Sequence, residues 1–253
     1  MNNATESFWP ESIEGVVSLT FDDNAPSQLD NALPCLNDND LRGTFYVNPG
    51  RHERWQTQIP RWQTASKNGH EIGNHTTRHP CSCNFGFGDG TYCLEKLSLN
   101  DMVETIDEAN QSLNELFPEQ NGDRSFCYPC YQSYVGEGVN RQSYVPVVAE
   151  RFKVGRGGGE RGNHPKKIDL AYIWSFAVQG HSGQDMIDYV ESAIKDGLWG
   201  VICMHGVGGD HIAIETSAFR ELCEYLNKNR HRIWTGSVID VGNYILDQRQ
   251  TST

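Results

Sequence analysis

The chain is short of positive charge. It sets only 21 Lys+Arg against 33 Asp+Glu, for a formal net charge of −12 over 253 residues. Nucleic-acid sheaths and polybasic membrane surfaces need clustered cations, so neither nucleic acid nor a membrane surface is expected as a partner. No apolar run approaches the roughly 20 residues of a membrane-spanning helix, and membrane insertion is not expected. The first ten residues are polar and acidic, without the basic start and apolar stretch of a secretory leader. The expected location is the cytoplasm if Met1 is the native start, and the periplasm or cell exterior if a signal peptide once preceded it. Cysteine is also scarce: eight are too few to staple a miniprotein, and they show no zinc-ribbon repeat. Cys81-Ser-Cys83 and Cys127-Tyr-Pro-Cys130 leave three readings open: scattered core thiols, one or two disulfides, or a four-sulfur zinc site. The single residue inside the first pair disfavours the zinc site.

What is present is the make-up of an ordinary globular chain, with 37% apolar and 21% charged residues, 25 Gly and 10 Pro. An α/β barrel regularly uses about 250 residues as a single domain. Apolar, β-branched runs bounded by turn signals predict strands at 16–21, 42–47, 71–74, 125–128, 152–154, 198–204 and 233–237. Helices are predicted at 28–39, 59–68, 94–117, 144–151, 183–196, 215–227 and 238–247. In the third of these, Met102, Ile106, Ala109, Leu113 and Leu116 recur at helical spacing, and Pro118 ends it. Strand and helix alternate, which favours parallel strands joined by crossover helices, in a barrel or a doubly wound sheet. The glycine-rich 155–162 lacks the order of a phosphate loop and reads as a flexible loop on the active-site side.

Three polar clusters stand where predicted strands end: Asp22-Asp23, His75-Thr-Thr-Arg-His79, and His205 followed by Asp210-His211. In parallel α/β folds those ends converge on one face, so the clusters are expected to meet. Two neutral imidazoles and a carboxylate from another strand make a His-His-Asp set with open positions, suited to zinc or a similar ion. Taken singly, each cluster also has a plain structural reading. Asp-Asp suits a solvated turn, H-x-x-x-H a solvated helix, and His205 a satisfied polar rim. Their joint occurrence at successive strand ends favours the metal.

Thr20-Phe21-Asp22-Asp23 resembles the first motif of the polysaccharide deacetylases, the NodB-homology or family-four carbohydrate esterases. His75–His79 resembles their second motif, H-[ST]-x-x-H; Gly200–Gly206 looks like their fifth, and Phe126–Tyr131 like a variant of their third. Order and approximate spacing agree from Val16 to about Ile245. The resemblance implies an α/β fold, a distorted (β/α) barrel with seven strands, in a single domain whose core spans about 14–248. It implies that Asp23, His75 and His79 hold a divalent metal, zinc first, with Co2+, Ni2+, Mn2+ or Fe2+ as alternatives. Asp22 would be the general base on the metal-bound water and His205 the general acid. The bond attacked would be an N- or O-linked acetyl group on an oligo- or polysaccharide. A backbone N–H near Cys130 or Tyr131 would help hold the oxyanion. Pro129, Cys130, Tyr131 and Trp174 are the substrate-contact candidates.

The chain departs from the family at three places. The arginine that opens the third motif and holds the catalytic aspartate is replaced by Cys127; Arg156 is the first candidate substitute and Arg124 the second. The fourth motif, an Asp-Trp element tuning the acid, has only Asp169 and Trp174 as counterparts, and the leucine of the fifth is Cys203. Phe85, Phe87, Trp55, Trp62, Tyr131 and Tyr134 are candidates for stacking on sugar rings, and the acidic surface favours neutral over polyanionic saccharides. Two rival functions remain: an amidase of the same superfamily acting on a cyclic amide or ureide, and a non-catalytic carbohydrate-binding protein. The joint retention of base, acid and ligands argues against the second.

Overall fold

A computed structural model of the chain describes residues 8–50, 53–86 and 90–251. Strand Gly15–Asp22 (β1) buries all eight of its residues, as a strand must when it is paired on both sides and covered on both faces. The other strands are Thr44–Val47 (β2), Glu71–Asn74 (β3), Phe126–Cys127 (β4), the hairpin Tyr134–Val135 (β5) and Gln142–Ser143 (β6), Gly155–Arg156 (β7), Phe176–Ala177 (β8), Trp199–Met204 (β9) and Ile233–Thr235 (β10). The helices are Leu33–Asp38 (α1), Glu53–Lys67 (α2), Leu99–Leu116 (α3), Val145–Ala149 (α4), Gly183–Lys195 (α5), Thr216–Lys228 (α6) and Val238–Thr251 (α7). The main sheet runs β7-β4-β3-β2-β1-β9-β8, with β10 beside the first residues of β1. Each of its pairings is parallel. A parallel bridge joins Arg156 of β7 to Ile173, three residues before β8, and the sheet curls into the distorted α/β barrel expected. No helix of the described residues is long and apolar enough to cross a membrane.

Several elements differ from expectation for local reasons. Helix α3 starts at Leu99 rather than Leu94, because Ser98 and Asp101 close a reciprocal capping box that ends the preceding extended backbone. Helix α2 begins at Glu53 and carries Pro60 inside it. Trp55 and Trp62, seven positions apart on that helix, face the core at 1% and 0% exposure and are not available to sugar.

The strand predicted at 152–154 lies instead at Gly155–Arg156, so Arg156 sits on a strand and not in a flexible loop. Glycine there serves close approach: a Cβ on Gly155 would stand 2.4 Å from the Ala171 carbonyl oxygen. The same holds at Gly159, where a Cβ would meet the Trp174 ring.

Candidate metal centre

Adjacent residues on a strand point to opposite faces, yet Asp22 and Asp23 contribute to one site. Asp22 is the last residue of β1, and Asp23 takes a left-handed backbone with φ 70° that swings its carboxylate round. His75 follows β3. His79 reaches the same carboxylate through left-handed turns at Thr76 (φ 62°) and His79 (φ 46°), so the pair is presented by an irregular loop and not by a helix. Asn74 Oδ1 accepts from the Thr76 amide (2.8 Å), Thr76 Oγ1 from the His79 amide (2.9 Å), and Asn48 donates to the His75 carbonyl (2.6 Å).

Asp23 Oδ1 stands 3.4 Å from His75 Nε2 and 3.3 Å from His79 Nε2. A tetrahedral ion with bonds of about 2.0–2.1 Å spaces its ligands about 3.4 Å apart, so the three atoms fit one divalent metal. His75 donates Nδ1–H to the Cys127 carbonyl (3.0 Å), which pins the ring with Nε2 toward Asp23. Burial would raise the Asp23 carboxyl, but hydrogen bonds from His211 and His75 outweigh it and hold it far below the carboxylate range. Burial, with His75 beside it, lowers His79 to about 4, so the ring is a neutral donor over most of the pH range.

Asp22 is 3% exposed and is gripped through both oxygens by Arg156, itself 0% exposed. The guanidinium lies between the Tyr46 and Tyr131 rings, 5.2 and 5.4 Å from their centroids, and donates to Ser175 Oγ at 3.3 Å. Cys127 and Cys203 flank Asp22 Oδ2 at 3.6 and 3.5 Å. Burial alone would raise Asp22; the Arg156 charge, with His75 and His205, brings it below its ordinary value instead. Arg124, the second candidate, is buried without a hydrogen-bond partner for any guanidinium nitrogen and does not meet Asp22. His205 follows β9 with Nε2 3.8 Å from Asp23 Oδ2, while its Nδ1 is buried and unpartnered. Neither proposed counterpart of the fourth motif reaches it: the Asp169 carboxylate accepts from the Ala171 amide, and Trp174 packs on Gly159. Burial holds His205 below the ordinary histidine value, with Asp22 and Asp23 pulling the other way.

These groups open into a cavity of about 780 Å³ lined also by Cys130, Tyr131, Arg54, Phe85 and Ile212. Pro129 is buried and Trp174 lies outside this lining, so of the four substrate-contact candidates only Cys130 and Tyr131 face the cavity. The Tyr131 amide donates to the Tyr128 carbonyl (3.0 Å), which withdraws it as an oxyanion donor and leaves that of Cys130 as the candidate. Phe85 is half exposed at the rim, Tyr134 is covered by Arg141, and Phe87 lies outside the described residues. Of the third cluster, His211 donates to Asp23 Oδ2 at 2.9 Å, whereas Asp210 turns away to accept from the Ser27 amide. Asn48 and Arg54, not singled out from the sequence, also line the cavity; a polar residue one position past β2 was the signal for Asn48.

The cysteine question resolves into two disulfides, Cys81–Cys130 and Cys83–Cys93, with free thiols at Cys35, Cys127, Cys203 and Cys223; the four-sulfur site is not formed. Cys81–Cys130 ties the His79 loop to the left-handed turn at Cys130 (φ 51°) and Tyr131 (φ 58°). Replacing both cysteines with serine is expected to lower stability by about 2–4 kcal/mol, read from urea unfolding midpoints. An unchanged midpoint would show the turn to be held without the bond.

The profile of the polysaccharide deacetylase family matches residues 11–140, just over half of the chain. The chain belongs to the polysaccharide deacetylase family. Among solved structures, this family member resembles the peptidoglycan deacetylase PdaC from Bacillus subtilis at 17% identity over 96% of each chain, with a TM-score of 0.57. It resembles a family 4 acetyl xylan esterase from Clostridium thermocellum in complex with a cobalt ion at 18% identity over 90% of each chain, with a TM-score of 0.56. The Xyl-CE4 domain of a multidomain xylanase from the hindgut metagenome of Trinervitermes trinervoides matches at 15% identity over 90% of each chain, with a TM-score of 0.56. At these identities the likeness establishes the fold of the deacetylase-family chain. No curated protein matches it in sequence.

Proposed function

We propose that the protein is a metal-dependent hydrolase that removes N- or O-linked acetyl groups from an acetylated carbohydrate. The observation that carries this reading is the Asp23–His75–His79 set, with 3.3–3.4 Å spacing, beside a carboxylate held ionised by a buried arginine. A divalent ion, zinc first, held by Asp23, His75 and His79 would acidify water and polarise the acetyl carbonyl. Asp22, ionised and fixed by Arg156, takes the proton of the attacking water. His205, across the site, returns a proton to the departing amine or alcohol. The Cys130 N–H supports the carbonyl oxygen as it gains charge, and Tyr131 and Phe85 offer ring faces to the sugar. The peptidoglycan and xylan substrates named for the similar structures support a saccharide and leave both acetyl linkages in play.

The direct test is acetate release by zinc-loaded protein, with a chelated control, from chitooligosaccharides, peptidoglycan fragments, acetylated xylan and a small acetyl ester. Chelator-sensitive release from a saccharide is expected and names the linkage. No release from any of them, with metal bound, would sink the reading and favour the cyclic-amide hydrolase. His79→Ala is expected to weaken metal binding at least about tenfold, measured by equilibrium dialysis; unchanged affinity would remove His79 from the ligand set.

A further inference from the structure

Asp23 is surrounded by more imidazole than one ion needs. Its Oδ1 faces His75 and His79, while its Oδ2 faces His205 Nε2 at 3.8 Å and His211 Nε2 at 2.9 Å. The donor atoms of Asp23, His205 and His211 lie within 4.8 Å of one another, as do those of Asp23, His75 and His79. Two imidazoles on each oxygen is the layout of a carboxylate that bridges two cations, whose separation in two-metal sites is about 3.5–4 Å. We propose that Asp23, His205 and His211 form a second divalent-metal site, sharing Asp23 with the first, and that filling it disables His205 as an acid. The inference rests on the first ion being held as proposed above.

The chemistry of the three donors agrees. His211 is half exposed on the loop after β9, so its proton can move to Nδ1 and free Nε2 for a metal. Both imidazoles line the same cavity as Asp23, which gives an ion a route in. Charge sets the order of filling. Asp22, Asp23 and Arg156 together leave one net negative charge for the first dication; the second then enters a positive site, with Arg54 and Arg78 also on the cavity wall. The second site is therefore the weaker and fills only when metal is in excess. A His205 whose Nε2 lone pair binds metal has no proton there to give a leaving group, so occupation inhibits.

Isothermal titration of the metal-free full chain with zinc tests this. Two classes of site are expected, the second at least about tenfold weaker. His211→Ala is expected to keep the first class and weaken the second at least about tenfold; His205→Asn should do the same from the other side. In acetate release, excess zinc should inhibit the wild type and lose that effect in His211→Ala, each measured against its own maximum. A single class in the wild type, abolished by His79→Ala, would overturn the second site and leave the first standing. A second class untouched by His211→Ala would also overturn it. No zinc binding at all would sink both, whereas two classes without acetate release would sink only the deacetylase reading.

Discussion

Asp22→Asn is expected to lower turnover by about 10²–10⁴-fold while the protein keeps its full complement of metal. The substitution preserves the shape of the side chain and leaves one oxygen for Arg156, but the buried guanidinium loses its counter-charge and one of its two acceptors, so some stability is lost along with turnover. What disappears is the lone pair that takes a proton, since an amide is not a base. Asp22 is separate from the Asp23–His75–His79 set, and metal content should not follow turnover. Metal analysis and acetate release on the same preparation check this. Joint loss of both would make Asp22 a ligand and overturn its assignment as base.

Arg156→Met carries the largest expected effect on stability. It strips the partner from a carboxylate that is almost fully buried, a change on the scale of 3–5 kcal/mol, roughly, for broken buried pairs. Burial then acts on Asp22 without its main opposing charge, leaving only His75 and His205 against it, so Asp22 rises relative to the wild type, the base stays protonated to higher pH and the acid limb of kcat/KM moves upward. The sign of the linkage follows from the lowered folded value of the wild type. That contribution is complete above the unfolded value of 3.8 and is lost as pH falls through the lower folded value. The stability gap between wild type and Arg156→Met should therefore be widest near neutrality and close in strong acid. Urea midpoints across pH measure it, and a gap that does not change with pH would show that Arg156 acts through packing alone.

Much of the barrel could be read from apolar runs that end in polar clusters, because in parallel sheets burial and strand direction are written into the same residues. Asp22, Asp23, His75, His79 and His205 stood out for that reason, and the structure brings them together. Arg156 was harder to place. Its glycine neighbours suggested freedom, whereas at Gly155 the missing side chain serves contact with Ala171 across the barrel. The start of α3 was missed because apolar periodicity extends past a helix end, and only Ser98 and Asp101 mark the cap. His211 could not be ranked from spacing, since the loop turn that carries it back to Asp23 depends on tertiary contacts such as Asp210 with Ser27. The unpartnered Nδ1 of His205 is likewise visible only in three dimensions.

The left-handed backbone of Asp23 sets stability and activity against each other. A non-glycine residue held at φ 70° carries roughly 1–2 kcal/mol of steric cost, which glycine would remove together with the carboxylate. Asp23→Gly would relieve that strain but also remove the contacts of the carboxylate with His75, His79 and His211, so the net change in stability is the difference between the two.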